Sequence, residues 1–406
     1  MTDNCLADAF IYDGGRSPFG RYGGALAPLR PDDLLAHVIK TVVERNPFAL
    51  SAYEDVVIGN TNGAGEDSRN VARFALLRAG LPVEVAGITV NRLCASGLAA
   101  MLSAANGVKV GEGELFLAGG VESMSRAPMV LSKAQSAYDR SQTIADSTLG
   151  GRFTNPAYAA IYGTDSMPET ADNIARDLDI SRAQSDIFAA ASQAKYETAR
   201  LDGFFRDEII PVDVPQSRKQ TVLTVDLDEH PRPESKPETL AGLRSLFEGG
   251  VVTAGNASGI NDGAAALIVG NGAVGEKFGA RPRVRIVAGA AAGVAPRVMG
   301  LGPVFAIRKA LTRAGLSLAD MDIIEINEAF ATQVLGCLKM LDLNPADSRV
   351  NPNGGAIAVG HPLGASGARI ALTTMRQLER SGSRYAVISL CIGVGQGLAV
   401  VLERVS

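Results

Sequence analysis

The residue with the clearest chemical potential is Cys94, within the segment TVNRLCASG of residues 89–97. The preceding residues predict the end of a strand, and the run Ala95 to Val110 is rich in Ala, Leu and Met at helical spacing. The sulfur should lie at the start of a buried helix, where unpaired N–H groups favour a thiolate. Such a thiolate is a candidate nucleophile. The alternative is a small buried hydrophobe, the usual role of a free cysteine.

A second candidate is His361, one of three histidines, in the glycine-rich segment NGGAIAVGHPLGASG of residues 353–367. An imidazole on this turn could accept the cysteine's proton and later donate to a carbonyl oxygen. The alternative is a turn histidine bonded to the backbone. We expect that structural role for His37, within an amphipathic helix, and for His230, in a proline-rich loop.

Two further segments place polar groups at predicted strand ends. Cys391 follows the apolar run Ala386 to Leu390 and begins CIGVGQG, so its thiol could transfer a proton. The Gly-x-Gly pattern is not a dinucleotide motif here, because a strand and no helix follows it. Asn327 begins Asn-Glu-Ala-Phe after another predicted strand, where α/β sheets present ligand-binding groups. Its amide could orient a water, although Asn-Glu is also a common helix start.

Composition restricts the class of protein. A chain of 406 residues favours two or three domains, and 46% hydrophobic with 20% charged residues is typical of a soluble protein. The net charge of −4 argues against binding to nucleic acid or anionic membranes. We expect no signal peptide and no membrane helix. The four cysteines, at positions 5, 94, 337 and 391, lack metal-site spacing and are expected to be reduced in the cytoplasm.

An internal repeat organises the chain. Leu93-Cys94-Ala95-Ser96-Gly97 recurs as Leu363-Gly364-Ala365-Ser366-Gly367, an offset of 363 − 93 = 270 residues. The same offset aligns the apolar runs 115–118 and 385–388, and a similar one aligns 55–60 with 322–327. Strands alternate with helices in both copies, which predicts parallel strands covered by helices on both faces. We therefore expect two α/β halves that face each other about a pseudo-twofold axis, with the two helix starts converging.

The pattern breaks between the copies. Residues 122–250 are more polar and hold most of the proline-containing loops. Two helix starts there, Ser166 to Glu169 and Ser181 to Gln184, fit the capping box. We predict three units: an N-terminal half of residues 1–121 and 251–279, an inserted loop domain of residues 122–250 that lies over one half and is long enough to bind a large ligand, and a C-terminal half of residues 280–406.

Together these motifs resemble the thiolase family over essentially the whole chain. The matching segments are residues 91–97, 119–125 (GGVESMS), 253–259 (TAGNASG), 327–330, 360–364 and 391–397. The resemblance implies an α/β fold of duplicated βαβαβαββ halves in α/β/α/β/α layers, and it implies that the inserted loop domain of residues 122–250 binds CoA. Ala95 departs from the family, because many relatives have Gly or Ser there.

The resemblance also implies roles for the candidate residues. Cys94 matches the cysteine that becomes acylated, and His361 matches the histidine that activates it and donates to the thioester oxygen. Asn327 matches the residue that holds a water in the same oxyanion hole, and Cys391 matches the acid/base cysteine. The N–H groups of Cys94 and Gly393 would form a second oxyanion hole.

Further residues are implied for substrate and CoA binding. Ser258 matches a serine beside the pantetheine arm, and Arg232 lies where the family often contacts the CoA nucleotide. The neighbouring matched positions complete the expected binding set: Met167, Ala257, Gly259 and Phe330. The resemblance implies no cofactor and no metal, since coenzyme A is a substrate, and its partners are acyl-CoA and CoA. It also implies a cytoplasmic homotetramer built as a dimer of dimers.

Several segments look closer to 3-oxoadipyl-CoA thiolases of aromatic-compound catabolism than to acetoacetyl-CoA thiolases: residues 19–26, 151–156 and 162–170. Acetoacetyl-type enzymes often have a histidine before the methionine that matches Met167, where this chain has Ser166. A dicarboxylic acyl chain needs a cationic or hydrogen-bonding partner, for which Arg152 is a candidate. The alternatives are an acetoacetyl-CoA thiolase or a fatty-acid 3-ketoacyl-CoA thiolase.

Three rival classes remain. A ketoacyl synthase on the same fold usually pairs its cysteine with two histidines, or with His and Asn, and lacks a second catalytic cysteine, so Cys391 favours a thiolase. A cysteine hydrolase would cleave acyl-CoA without needing free CoA. A non-catalytic acyl-CoA-binding protein would tolerate replacement of Cys94 by serine.

Overall fold

The computed structural model describes residues 6–216 and 221–405, so Cys5 and the extreme ends of the predicted outer units lie outside the described residues. The strands are β1 Phe10–Arg16, β2 Gly20–Arg21, β3 Asp55–Gly59, β4 Ala86–Val90, β5 Leu115–Ser123, β6 Met129–Leu131, β7 Ile144–Asp146, β8 Val212–Gln216, β9 Thr221–Val225, β10 Asn261–Gly270, β11 Val284–Gly293, β12 Ile323–Ile326, β13 Tyr385–Ile392 and β14 Gln396–Arg404. The helices are α1 Pro31–Glu44, α2 Val71–Arg78, α3 Ser96–Val110, α4 Pro156–Tyr162, α5 Met167–Asp177, α6 Arg182–Leu201, α7 Pro237–Ala241, α8 Gly272–Phe278, α9 Gly302–Ala314, α10 Ala331–Met340, α11 Ala356–Val359 and α12 Leu363–Ser381. Short 3₁₀ turns cover Leu50–Ala52, Met124–Arg126, Pro296–Leu301 and Leu318–Asp320.

The main sheet has the order β12-β13-β14-β11-β1-β10-β5-β3-β4, with β2 paired to β10. Its two halves meet where Phe10 and Ile11 of β1 pair with Arg285 and Val284 of β11. The strand order runs outward from this junction in the same sense in both halves. The predicted duplication is therefore present in the fold.

The expectation of parallel strands holds only at the outer strands. β3 is parallel to β4 and β5, and β12 is parallel to β13. The pairs nearer the junction are antiparallel. For β13 and β14 the reason is their connection, a tight turn through Val394 and Gly395 that is too short for a parallel crossover.

Alternate strand residues face opposite layers, as in sheets buried on both sides. Val57 and Phe116 face inward to α3 and α12, whereas Val56 and Leu115 face outward to α1 and α2. The C-terminal half repeats the pattern with α9 and α10 outside. The molecule is an α/β/α/β/α arrangement, which confirms the predicted fold class.

The two central helices, α3 and α12, touch through their main chains at the repeated motif. A Cβ atom added to Gly97 would lie 2.6 Å from the carbonyl oxygen of Gly364, and one added to Gly367 would lie 2.3 Å from the Leu98 nitrogen. Real side chains do not approach backbone so closely, so both positions require glycine. This contact brings the starts of the two helices together, as the repeat predicts.

The window Leu93–Val110, which is α3 with its preceding turn, reaches the length and mean hydropathy of a membrane span. The expectation of no membrane helix stays a prediction, because buried core helices share this length and composition. Buried residues of α3 join the central apolar core with α12 and both sheets. The apolar character of α3 reflects its place in the middle layer, where neighbours cover it on several sides.

The segment between β5 and β10 packs on both halves, not on one. Ile174 and Phe188, from α5 and α6, join the core formed by α9 and α10. Val212 and Val225, from the β8–β9 hairpin, join the outer core of the N-terminal half. Both predicted capping boxes are confirmed at the starts of α5 and α6. The three unit boundaries given above stay predictions.

A buried ion network anchors this segment to the sheet. Arg16 of β1 donates from Nε to Glu208 at 2.6 Å and from both terminal nitrogens to Asp228 at 2.6 and 2.9 Å. All three side chains are fully buried. Loss of one partner would leave an uncompensated buried charge, so the network determines how the segment is attached.

Candidate active site

Segments from both halves and from the region between β5 and β10 enclose a cavity of about 630 Å³. Cys94, His361 and Cys391 all line it, although they are far apart in the chain. Cys94 comes from the turn before α3, His361 from the turn before α12, and Cys391 from β13. The predicted convergence of the two helix starts is therefore observed.

Cys94 lies on a tight turn between β4 and α3, one residue before the N-cap Ala95. Leu93 has a left-handed backbone (φ 46°), and the Asn91 side chain accepts its N–H at 2.9 Å. Burial raises the pKa of the Cys94 thiol to about 11, and the nearby Glu122 carboxylate adds to this, while the N–H groups of Gly393 and Cys94 oppose it. The N–H donors lower the pKa of the thiol as expected, but burial outweighs them, so the predicted thiolate is not the resting form. Cys94 needs a base.

His361 lines the same cavity as Cys94 and is the candidate for that base. Gly360 has φ 98°, and a Cβ atom there would lie 2.6 Å from the Asn261 side chain, whose oxygen accepts the His361 N–H at 2.8 Å. Burial, reinforced by the buried Arg369 guanidinium, lowers the pKa of His361 to about 3. The imidazole is therefore neutral near pH 7 and has a lone pair available for a proton.

Asn327 contacts the same imidazole. Its Nδ2 lies 3.4 Å from His361 Nε2, and its backbone N–H donates to Ser389 on β13. Its Oδ1 is buried and has no hydrogen-bond partner among the residues that the structure describes. The side chain thus presents a donor and an acceptor beside the imidazole.

Cys391 lies inside β13, which continues to Ile392, and not after the strand as predicted. Burial raises the pKa of its thiol well above the usual value, and the proximity of Cys94 and then Cys337 adds to this. It is therefore a protonated thiol. Two residues later the backbone N–H of Gly393 approaches the Cys94 sulfur.

Most residues predicted for substrate binding line the cavity. They are Met167, Ala257, Ser258, Gly259 and Phe330. The segment around Ser258 is fixed to the Asn327 loop, since Ser258 N–H donates to Ala329 and Ala257 bridges Phe330.

Arg232 does not join this set. Its side chain is exposed outside the cavity, and its backbone N–H donates to Gln193 at 2.8 Å. His37 contacts the Pro211 carbonyl, in line with the structural role expected for it. His230 is half-buried, and burial lowers its pKa to about 4.

Comparison with known proteins decides the family. The family model "Thiolase, N-terminal domain" matches residues 9–273, and "Thiolase, C-terminal domain" matches residues 280–404. The chain belongs to the thiolase family. Thiolases are acyltransferases that act on acyl-CoA and CoA, so the predicted enzyme class is confirmed.

Curated thiolases resemble the chain along its length. It is 55% identical to the 3-oxoadipyl-CoA/3-oxo-5,6-dehydrosuberyl-CoA thiolase of Escherichia coli (strain K12), over 98% of this chain and 100% of the relative. It is 54% identical to the beta-ketoadipyl-CoA thiolase of Pseudomonas aeruginosa, over 98% and 99%. Among solved structures, human mitochondrial 3-ketoacyl-CoA thiolase in complex with CoA matches with a TM-score of 0.91 and 39% identity, over 99% of both chains.

The thiolase site also contains residues that sequence reasoning did not single out. Ser366 contacts His361 Nδ1 at 2.6 Å, and Asn261 holds the His361 backbone. Glu122 accepts the N–H groups of Gly364 and Thr61, linking the start of α12 to the loop after β3. Glu122 lies within the matched segment 119–125 and Ser366 within the repeated segment 363–367, which was the available signal, but their contacts cross more than one element.

Proposed function

We propose that the chain is a 3-oxoadipyl-CoA thiolase, which converts 3-oxoadipyl-CoA and CoA into succinyl-CoA and acetyl-CoA through an acyl-Cys94 intermediate. The observation that supports this most directly is the single cavity that two thiols and one imidazole share. The identity of 52–55% with curated beta-ketoadipyl-CoA thiolases supports the substrate.

The first half-reaction begins with proton transfer from the Cys94 thiol to His361 Nε2. The thiolate then attacks C3 of the 3-oxoacyl-CoA, and the N–H groups of Cys94 and Gly393 stabilise the oxyanion. The C2–C3 bond breaks, leaving the acyl group on sulfur. Donors arranged in advance around a developing oxyanion typically contribute roughly 3–4 kcal/mol each.

The leaving group is the enolate of acetyl-CoA, which needs stabilisation at oxygen and a proton at carbon. Protonated His361 and the Asn327 side chain, through a bound water, lie on the side that would hold the oxygen. Cys391, a protonated thiol, would donate to the carbon. Cys391 is then a thiolate.

The second half-reaction returns every proton. The Cys391 thiolate takes the proton of incoming CoA, whose sulfur attacks the acyl carbon and releases Cys94 as a thiolate. His361 gives its proton back to Cys94. These steps use residues of this chain only, so we propose that no cofactor takes part, and full activity after exhaustive chelation would support this.

A distal carboxylate on the substrate requires a partner, and we propose Arg152. None of the cavity-lining side chains within residues 6–216 and 221–405 is Lys or Arg. Arg152 follows the lining residues Gly150 and Gly151 and donates to the Asn62 carbonyl at 3.0 Å. Arg152→Ala should raise KM for 3-oxoadipyl-CoA about 10-fold or more while leaving acetoacetyl-CoA unaffected. Exposed Arg140, from the same segment, gives the matched control Arg140→Ala.

We further propose a cytoplasmic dimer of dimers. Edge strand β4 exposes about half of Ile88, and the β6–β7 hairpin exposes about two-thirds of Met129, Leu131 and Ile144. Apolar side chains on a sheet edge and on a projecting hairpin favour association. Sedimentation analysis should give a tetramer, and Leu131→Asp with Ile144→Asp should reduce it to a dimer.

The experiment that tests the function is a substrate panel of 3-oxoadipyl-CoA, acetoacetyl-CoA and longer 3-oxoacyl-CoA, with and without CoA. We expect the highest kcat/KM for 3-oxoadipyl-CoA and strict dependence on CoA. Preference for acetoacetyl-CoA, or hydrolysis without CoA, would contradict the proposal.

A further inference from the structure

The starts of α3 and α12 can be compared position by position through the 270-residue offset, which relates Ser96 to Ser366 and Arg92 to Pro362. In the N-terminal half the Ser96 hydroxyl donates to Leu93 O at 2.7 Å and accepts the backbone N–H of Arg92 at 2.8 Å. One donor and one acceptor, both from the backbone, thus satisfy this serine.

The C-terminal copy differs in its donor. The Ser366 hydroxyl donates to Pro362 O at 2.8 Å, but Pro362 has no N–H to return. The position of that missing donor is taken by His361 Nδ1, 2.6 Å from Ser366 Oγ. Ser366 is fully buried, so solvent does not compete for it.

The proton that Ser366 donates bears on the tautomer of the His361 imidazole. A serine hydroxyl has one proton, and Ser366 uses it on a carbonyl that can only accept. With that proton on Pro362 O, the contact with His361 runs from Nδ1–H to Ser366 Oγ. At the other ring nitrogen, Asn327 Nδ2 can only donate, which agrees with a lone pair on Nε2.

We propose that Ser366 is a positioning residue that holds His361 as the Nδ1–H tautomer and so keeps the Nε2 lone pair directed into the cavity, ready for the Cys94 proton. The inference deepens the proposed function and rests on it. Proton transfer from Cys94 to Nε2 gives a thiolate and an imidazolium whose Nδ1–H stays bonded to Ser366. Pro362 contributes by removing the rival backbone donor.

The kinetic test is Ser366→Ala. Without the acceptor the imidazole can rotate or exchange tautomers, so kcat and the rate of Cys94 acylation should fall roughly 10- to 100-fold, the usual effect of losing the orienting partner of a functional histidine. KM should change little. Ser366→Thr keeps the hydroxyl and should restore most of the rate.

A matched control lies on the same helix. Thr374 is buried and its hydroxyl has no hydrogen-bond partner among the described residues, so Thr374→Val should leave the kinetics unchanged. Thermal unfolding of each variant separates loss of the fold from loss of orientation. An unchanged acylation rate in folded Ser366→Ala would overturn the proposal.

The tautomer can be read directly by ¹⁵N NMR of wild-type protein labelled at its three histidines, with His37→Asn and His230→Asn used for assignment. We expect His361 to have a protonated Nδ1 and an unprotonated Nε2, and the Ser366→Ala spectrum to show a mixture. A protonated Nε2 in neutral wild-type protein would overturn the proposal. This readout does not depend on turnover, so failure of the 3-oxoadipyl-CoA assay would count against the proposed function alone.

Discussion

In the N-terminal half β4 pairs with β3 along five residues, whereas in the C-terminal half only Val350 bridges β12 at the corresponding place. The chain there forms a loop that contains α11 and leads to His361. The N-terminal half thus keeps a complete sheet and presents one reactive side chain, Cys94. Within the described residues, the C-terminal half has no strand corresponding to β4 and presents an imidazole, an amide and a second thiol. Under the proposed function, the nucleophile therefore belongs to one half and the proton-transfer groups to the other.

The largest effect is expected for the single reactive group of the N-terminal half. Cys94→Ser keeps the turn but supplies a far weaker nucleophile, so CoA-dependent cleavage should fall on the order of 10⁴-fold or more. Mass spectrometry after incubation with acyl-CoA should show no acylated chain. Turnover near the wild-type rate would contradict the assignment of the nucleophile to Cys94 of the N-terminal half, because the nucleophile would then lie elsewhere.

His361→Asn tests the proposed base, which belongs to the C-terminal half. Since the pKa of the Cys94 thiol is raised to about 11, loss of the base should lower kcat by roughly 10²- to 10⁴-fold. Raising the pH should recover part of the rate, because hydroxide then deprotonates Cys94 directly. A pH–rate profile of the acylation step measures this, and an unaltered profile would count against His361 as the base.

Cys391→Ser separates the two chemical stages. A serine hydroxyl is a poorer proton donor to carbon, so the carbon–carbon step should slow about 10²-fold or more. Acylation of Cys94 by a simple acyl-CoA should be partly retained. Rapid-quench measurements of the two stages provide the check, and near-normal thiolysis would contradict the assigned role.

The contact between the halves is tested by Gly97→Ala and Gly367→Ala. Each new methyl group would meet the backbone of the opposite helix, so each should lower the free energy of unfolding by about 1–3 kcal/mol. Urea unfolding measures this change. Gly111→Ala is not a suitable control, because Gly111 has a left-handed backbone (φ 79°) that alanine disfavours. The control is Ser103→Ala, at an exposed position of α3.

The smallest expected effect is a pH dependence of stability. The pKa of His361 is about 3 in the folded protein and near 6.5 when unfolded, so the unfolded chain binds more protons between these values. Its contribution is complete above about pH 6.5 and is lost as the pH falls towards 3. His361→Asn should therefore reduce the difference in unfolding free energy between pH 7 and pH 5. Ser96→Ala, which removes no titratable group, should shift both values equally.

The features that sequence alone predicted correctly are local or repeated. The capping boxes of α5 and α6 depend on residues three positions apart, and the convergence of the helix starts follows from the motif shared by residues 93–97 and 363–367. Both depend on short-range geometry, which the residue types determine directly.

The features that sequence reasoning missed depend on neighbours distant in the chain. The raised pKa of Cys94 reflects burial by loops from both halves, and the two-sided packing of residues 124–260 depends on which surfaces the sheets leave open. Ser366 could be identified only once Pro362 and His361 were seen around the same hydroxyl. Contacts between residues distant in the chain produce no periodic pattern in the sequence.

The backbone contact at Gly97 and Gly367 has a consequence for how the enzyme can change. Because no side chain separates the two central helices at this contact, substitutions in the outer layers should change the distance between the Cys94 thiol and the His361 imidazole very little. Acyl-chain preference can therefore drift through the loops around the cavity while the reaction centre keeps its dimensions. The close contact at these two glycines therefore fixes the distance between the thiol and the imidazole, while the loops around the cavity determine the acyl-chain preference.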